Sequence, residues 1–129
     1  MTDYSPKYVS LAFIRNFTTP PLDYTDVSEA ELLAKVEAVE TYCDTIYETG
    51  AAVPCALLVL AKLISNPTLA SKYSSLVAEN LGDYSYRLGS VSGKSAYEIS
   101  KSWEELAYDM LRALSFTHND KLKIYITNN

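Results

Sequence analysis

Residues Val53 to Ser65 read VPCALLVLAKLIS, a run that is apolar on nearly every side of a helix apart from Lys62. As a helix it spans roughly 18 Å at about 1.5 Å per residue, well short of the ~30 Å core of a bilayer. The run therefore predicts a helix wrapped by protein rather than by lipid, and a helix hydrophobic all round has to sit in the middle of a bundle. Val53-Pro54 opens it, because proline in the first turn gives up only an N–H that has no helical partner, and Asn66-Pro67 closes it.

Amphipathic stretches flank this run on both sides. Upstream, Ser28 followed by Glu31 is a capping-box start, and Leu32, Val36, Val39, Cys43 and Ile46 then recur at helical spacing, with Leu33 and Tyr47 beside them. This predicts a helix from about 28 to 48, stopped by Gly50, whose other side (Glu29, Lys35, Glu37, Glu40, Asp44, Glu48) reads as a solvated face. Downstream, Asn66 and Pro67 start a third helix lined by Leu69, Tyr73, Leu76, Val77 and Leu81 and stopped by Gly82. A last helix begins at Ser95 or Ser102, each followed three residues later by Glu, and carries Ile99, Trp103, Leu106, Ala107, Met110, Leu111 and Leu114.

The remaining segments are less regular. Met1 to Asp26 form an arm in which Tyr8, Leu11, Ile14 and Phe17 share one face of a short helix, ended by Thr18-Thr19-Pro20-Pro21. Asp83 to Leu88 alternate large and polar residues as an extended segment does, and Gly89 to Gly93 add a flexible stretch, so a long loop is expected before the last helix. In the tail, Leu122, Ile124 and Ile126 alternate with Lys123, Tyr125 and Thr127, a strand pattern with no second strand to pair with. The expected fold is all-α: a compact bundle of about four helices in a single domain, with an arm (1–26), a core (27–115) and an extended C-terminal tail (116–129).

Composition narrows the function. The chain has 129 residues, 48% of them hydrophobic, with 4 Gly and 5 Pro, enough for a core without staples. No N-terminal stretch resembles a cleaved leader, which leads us to expect a soluble, intracellular protein with no membrane partner. A net charge of -5 argues against a phosphate-backbone binder. A helix-turn-helix is disfavoured too, because the loop before the last helix is too long for its tight turn.

Chemistry is hard to find. The single histidine, His118, beside Asn119 and Asp120, would need a distant Ser or Cys to build a triad. The carboxylates lie on helix faces with Lys interspersed, as solubility requires. Cys43 and Cys55 have no metal-ligand spacing and read as buried thiols, and Gly93-Lys94-Ser95 lacks the earlier glycine of a phosphate-binding loop. The expectation is a non-enzyme with no catalytic residue, metal or cofactor. Tyrosine is the unusual residue, with 11 copies, two of them at Tyr84 and Tyr86 and one at Tyr125. Its apolar ring and polar tip suit surfaces that become buried on association.

The order of elements adds a resemblance. An acidic capped helix (Val27 to Tyr47) ending in Glu40-Thr41-Tyr42-Cys43-Asp44-Thr45-Ile46-Tyr47, a Pro-initiated apolar helix, a third helix ending in Glu79-Asn80-Leu81-Gly82-Asp83-Tyr84-Ser85, and a closing helix Trp103 to Leu114 resemble the head-tail connector (adaptor, head completion) proteins of tailed bacteriophages and related viruses. The resemblance covers about residues 26 to 115, and Leu81-Gly82-Asp83-Tyr84-Ser85, similar to the element before that family's long loop, carries most of it. The arm through Pro21 is longer than the family pattern. The resemblance implies a virion protein of the neck, made in the host cytoplasm, which forms a ring homo-oligomer, dodecameric, beneath the portal protein. It extends the channel for genomic DNA without sequence-specific binding and presents a surface to a stopper or tail-completion protein.

The expected contact residues are Asp83, Tyr84, Tyr86, Arg87 and Leu88 in the loop and Leu122, Ile124, Tyr125 and Ile126 in the tail, chosen for their extended, aromatic or unpaired character. A different reading fits the same bundle without a ring: a small helical regulatory or inhibitor protein that acts by protein-protein binding through its tyrosines.

Overall fold

The computed structural model describes residues 4–44, 52–87 and 93–127. Its elements are α1 (Leu11–Arg15), α2 (Glu29–Asp44), α3 (Ala52–Ile64), α4 (Pro67–Tyr73), a 3-10 segment (Ala78–Arg87) and α5 (Ala96–Thr127). Among the described residues the one β pairing is an isolated antiparallel bridge between Thr18 and Leu76, so the fold is all-α. The Gly50 stop, together with Leu88, Gly89 and the rest of 88–92, lies outside the described residues.

α3 is the centre of the molecule. Every residue from Pro54 to Ile64 is buried except Lys62, the one charged residue among them. α5 packs on it most extensively, and α2, α4 and α1 cover its other sides. α5 runs antiparallel to α3: the Ser100 hydroxyl donates to the Ala61 carbonyl at 2.7 Å near one end, and Leu114 approaches Val53 at the other. The arm belongs to the same core, contributing the buried Val9, Ile14, Phe17 and Leu22.

Local signals set most helix starts. The Ser28 hydroxyl accepts the Glu31 N–H at 3.2 Å, and Asn66 Oδ1 accepts the Thr68 N–H at 2.9 Å with Pro67 behind it. α5 starts at the earlier of its two candidates. Ser95 and Glu98 form a reciprocal capping box, with Ser95 Oγ accepting the Glu98 N–H at 3.1 Å and Glu98 Oε1 accepting the Ser95 N–H at 3.0 Å. The Ser95 backbone N–H first, and then the Ser95 hydroxyl, hold the Glu98 carboxyl below its ordinary pKa.

Three expectations are corrected. The third helix stops at Tyr73 rather than Leu81, because the backbone of 75–77 is taken up by the arm: the Thr19 N–H donates to the Ser75 carbonyl at 2.9 Å and the Val77 N–H to the Phe17 carbonyl at 2.8 Å. The segment expected to be extended from Asp83 instead lies in the 3-10 segment, whose turns are joined across Gly82 at φ 56, ψ -128. Finally, Leu122, Ile124, Tyr125 and Ile126 lie on a helix, not a strand, since α5 continues to Thr127. No Gly or Pro interrupts 115–127, and extending a formed helix satisfies backbone groups that a strand without a partner leaves open.

Candidate functional site

The start of α3, the 3-10 segment and α5 enclose an apolar groove of about 300 Å³. Val53 and Pro54 of α3 form its floor. Asn80, Leu81 and Tyr84 form one wall and Met110, Ala113 and Leu114 the other. Leu81 is buried and anchors the 3-10 segment to the core, while Tyr84 is half-buried and Ala113 exposed at the rim. Gly82 makes this wall. A φ of 56 with an extended-side ψ is open to glycine and strained for any residue with a Cβ, and the resulting turn lets Leu81 and Tyr84 both face the groove. The volume is at the small end of the range for ligand pockets, and the lining is aliphatic and aromatic.

The groove is bordered by acid. Glu79 and Asp83, next in sequence to the wall residues Asn80 and Tyr84, are both exposed. Of the contact residues expected from sequence, Tyr84 lines the groove, Asp83 sits at its edge, and Tyr86 and Arg87 continue the same 3-10 backbone. Leu88 lies outside the described residues. The tail residues Leu122 to Ile126 are not brought to the groove in the same copy: at about 1.5 Å per residue, α5 carries them roughly 12–18 Å beyond Leu114. Sequence reasoning missed Val53, Pro54 and Met110 as groove residues, since all three fit a core pattern.

Two polar clusters fix the surroundings. In the first, the Glu40 carboxylate, wholly buried on α2, accepts the backbone N–H groups of Lys7, Tyr8 and Val9 at 2.7, 2.6 and 3.0 Å and the Tyr4 hydroxyl at 2.5 Å. Glu40 is thus not on the solvated face where its neighbours placed it; standing four residues after Val36, it shares that residue's buried side. In the second, the Tyr73 hydroxyl donates to Asp26 Oδ2 at 2.5 Å and accepts the Asp23 N–H at 3.1 Å, while Lys72 Nζ meets Asp26 Oδ2 at 2.8 Å. The Lys72 and Tyr73 donors lower the Asp26 pKa, that carboxylate raises Lys72, and burial followed by the Asp26 bond raises Tyr73. Both clusters tie the arm and the 23–26 turn to the bundle.

Arg15 does similar work. The residue is 5% exposed, and its guanidinium donates to the Leu22 and Val27 carbonyls at 3.4 and 3.0 Å and lies 3.8 Å from the centre of the Tyr24 ring. A second, more polar pocket of about 240 Å³ lies between α4 and the start of α5, lined by Ser71, Ser74 and Lys94 among others. Among the described residues no three of His, Cys, Asp and Glu stand together as metal ligands, and no helix is long and apolar enough to cross a membrane. Comparison with family models, with curated proteins and with solved structures returns no match.

Proposed function

We propose that this chain is a structural virion protein, the head-tail connector that forms a ring on the portal, extends the DNA channel and provides the docking surface for a stopper or tail-completion protein. It catalyses no reaction, needs no cofactor, and works in the neck of the virion after assembly in the host cytoplasm. The observation that carries this reading is that the Leu81-Gly82-Asp83-Tyr84-Ser85 element, on which the resemblance to the connector family chiefly rests, supplies Leu81 and Tyr84 to one wall of the apolar groove. An assembly protein needs such a surface, and heterologous contacts between side-by-side copies close into a ring where the rotation permits. A net charge of -5 lets DNA pass through the ring without adhering, by like-charge repulsion.

The test is to image particles made when this chain is removed from the virus that encodes it. Heads that never acquire tails, restored by supplying the chain in trans, support the reading. Complete virions overturn it. The exposed aromatics Tyr24, Tyr42, Tyr97 and Tyr108 favour the second reading, a regulatory or inhibitor protein. That reading requires a small species of fixed size and a host protein bound through those rings.

A further inference from the structure

We infer that α5 pairs with α5 of a second copy of this chain, antiparallel and across a two-fold axis, along the stripe Tyr97, Lys101, Glu104 and Tyr108. Steps of 4, 3 and 4 residues separate these positions, the heptad spacing that keeps one side of a helix against a partner helix, here over roughly 16 Å. The stripe is rich in exposed aromatic surface. Tyr97 is 66% exposed and Tyr108 41%, and Tyr42 of α2, 47% exposed, meets Tyr108 edge-on with 6.3 Å between ring centres. Three of the four large apolar side chains exposed among the described residues thus fall at the two ends of one helix face. Aromatic surface gathered in this way marks a protein contact.

Charge identifies the occupant. Read backwards, the stripe keeps its 4-3-4 spacing and has the order Tyr-Glu-Lys-Tyr, so it is its own complement. An antiparallel copy sets its Glu104 against Lys101, its Lys101 against Glu104, and its Tyr108 with Tyr42 against Tyr97, the axis passing between positions 102 and 103. A parallel copy in register would set like charges together, which fixes the direction. Within one chain Lys101 Nζ lies 3.2 Å from Glu104 Oε1 and 5.5 Å from the centre of the Tyr97 ring, with the lysine and glutamate side chains 51% and 24% exposed. So exposed a pair contributes little by itself. In the dimer each of its charges gains a second partner of opposite sign, in a contact whose two ends are covered by tyrosine rings.

The inference does not rest on the connector reading. An isologous contact closes at two copies, and helical spacing puts Met110, Ala113 and Leu114, the groove residues of α5, on another side of the helix, so the pair leaves the groove uncovered.

The experiment is sedimentation velocity of the full chain over rising concentration, with circular dichroism to verify that each variant keeps its helix content. Lys and Glu are both good helix formers, so exchanging them leaves α5 folded. Wild type passes from monomer to dimer. Lys101→Glu gathers four carboxylates at the centre of the contact and Glu104→Lys four ammonium groups, and each weakens the dimer at least about tenfold, as like-charge contacts in place of opposite ones require. Mixing these two variants makes both central contacts attractive again and yields a heterodimer, and the double variant Lys101→Glu with Glu104→Lys regains the homodimer. Wild type that stays monomeric, single variants that associate like wild type, or a mixture without the heterodimer would overturn the inference.

Discussion

The Glu40 carboxylate accepts the backbone N–H of Tyr8 at 2.6 Å across 32 residues of sequence, with no part of Glu40 exposed. The arm is therefore held by a charge-assisted bond at the centre of its contact with α2, flanked by the Lys7 and Val9 amides. Glu40→Ala leaves these buried donors without an acceptor and should lower stability by about 2–4 kcal/mol. Urea denaturation measures this directly. An unchanged midpoint would mean that the arm contributes nothing to the fold.

Arg15→Lys tests the guanidinium fork. A lysine keeps the charge but has no planar pair of donors to reach both the Leu22 and Val27 carbonyls, nor a flat face for Tyr24. The expected loss is about 1–2 kcal/mol by thermal or urea unfolding. A fully stable lysine variant would reduce the role of Arg15 to charge alone.

Gly82→Ala separates backbone strain from crowding. An added Cβ meets nothing within 4 Å, so the whole penalty is the positive φ, about 1–3 kcal/mol. Wild-type stability would show that the turn tolerates a side chain.

Stability should fall at both pH extremes. The Asp26 pKa is lowered in the folded chain by Lys72 and then Tyr73, so its contribution is present above the ordinary value of 3.8 and lost as pH falls below it. Lys72 is raised by Asp26, and Tyr73 by burial and Asp26, so theirs are present below the ordinary values of 10.5 and 10.0 and lost as pH rises past them. Asp26→Asn should flatten the acid limb of a stability–pH profile. An unchanged acid limb would assign acid unfolding to other carboxylates.

Where a signal is local, the sequence is legible. The apolar run of α3 and the caps at Ser28, Asn66 and Ser95 need only neighbouring residues, and they predict the helices that form. The rest depends on distant partners. α4 ends at Tyr73 because the arm claims the backbone of Ser75 and Val77, and Glu40 is buried because amides more than 30 residues earlier reach it. The tail misleads for another reason: alternation over Leu122 to Ile126 matches a strand, but a continuous helix satisfies the backbone without a second strand. For the site, tyrosine content and the Leu81 to Ser85 element point to one wall of the groove. The other wall, Met110, Ala113 and Leu114, is indistinguishable from ordinary core in sequence alone.

The connector assignment is tested most directly by light scattering coupled to size exclusion, on the protein alone and after mixing with the portal protein encoded beside it. Co-elution in a stoichiometric, ring-sized complex is the expected result. A small species of fixed mass that ignores the portal would contradict the assignment and direct attention to a host partner of Tyr24, Tyr42, Tyr97 and Tyr108.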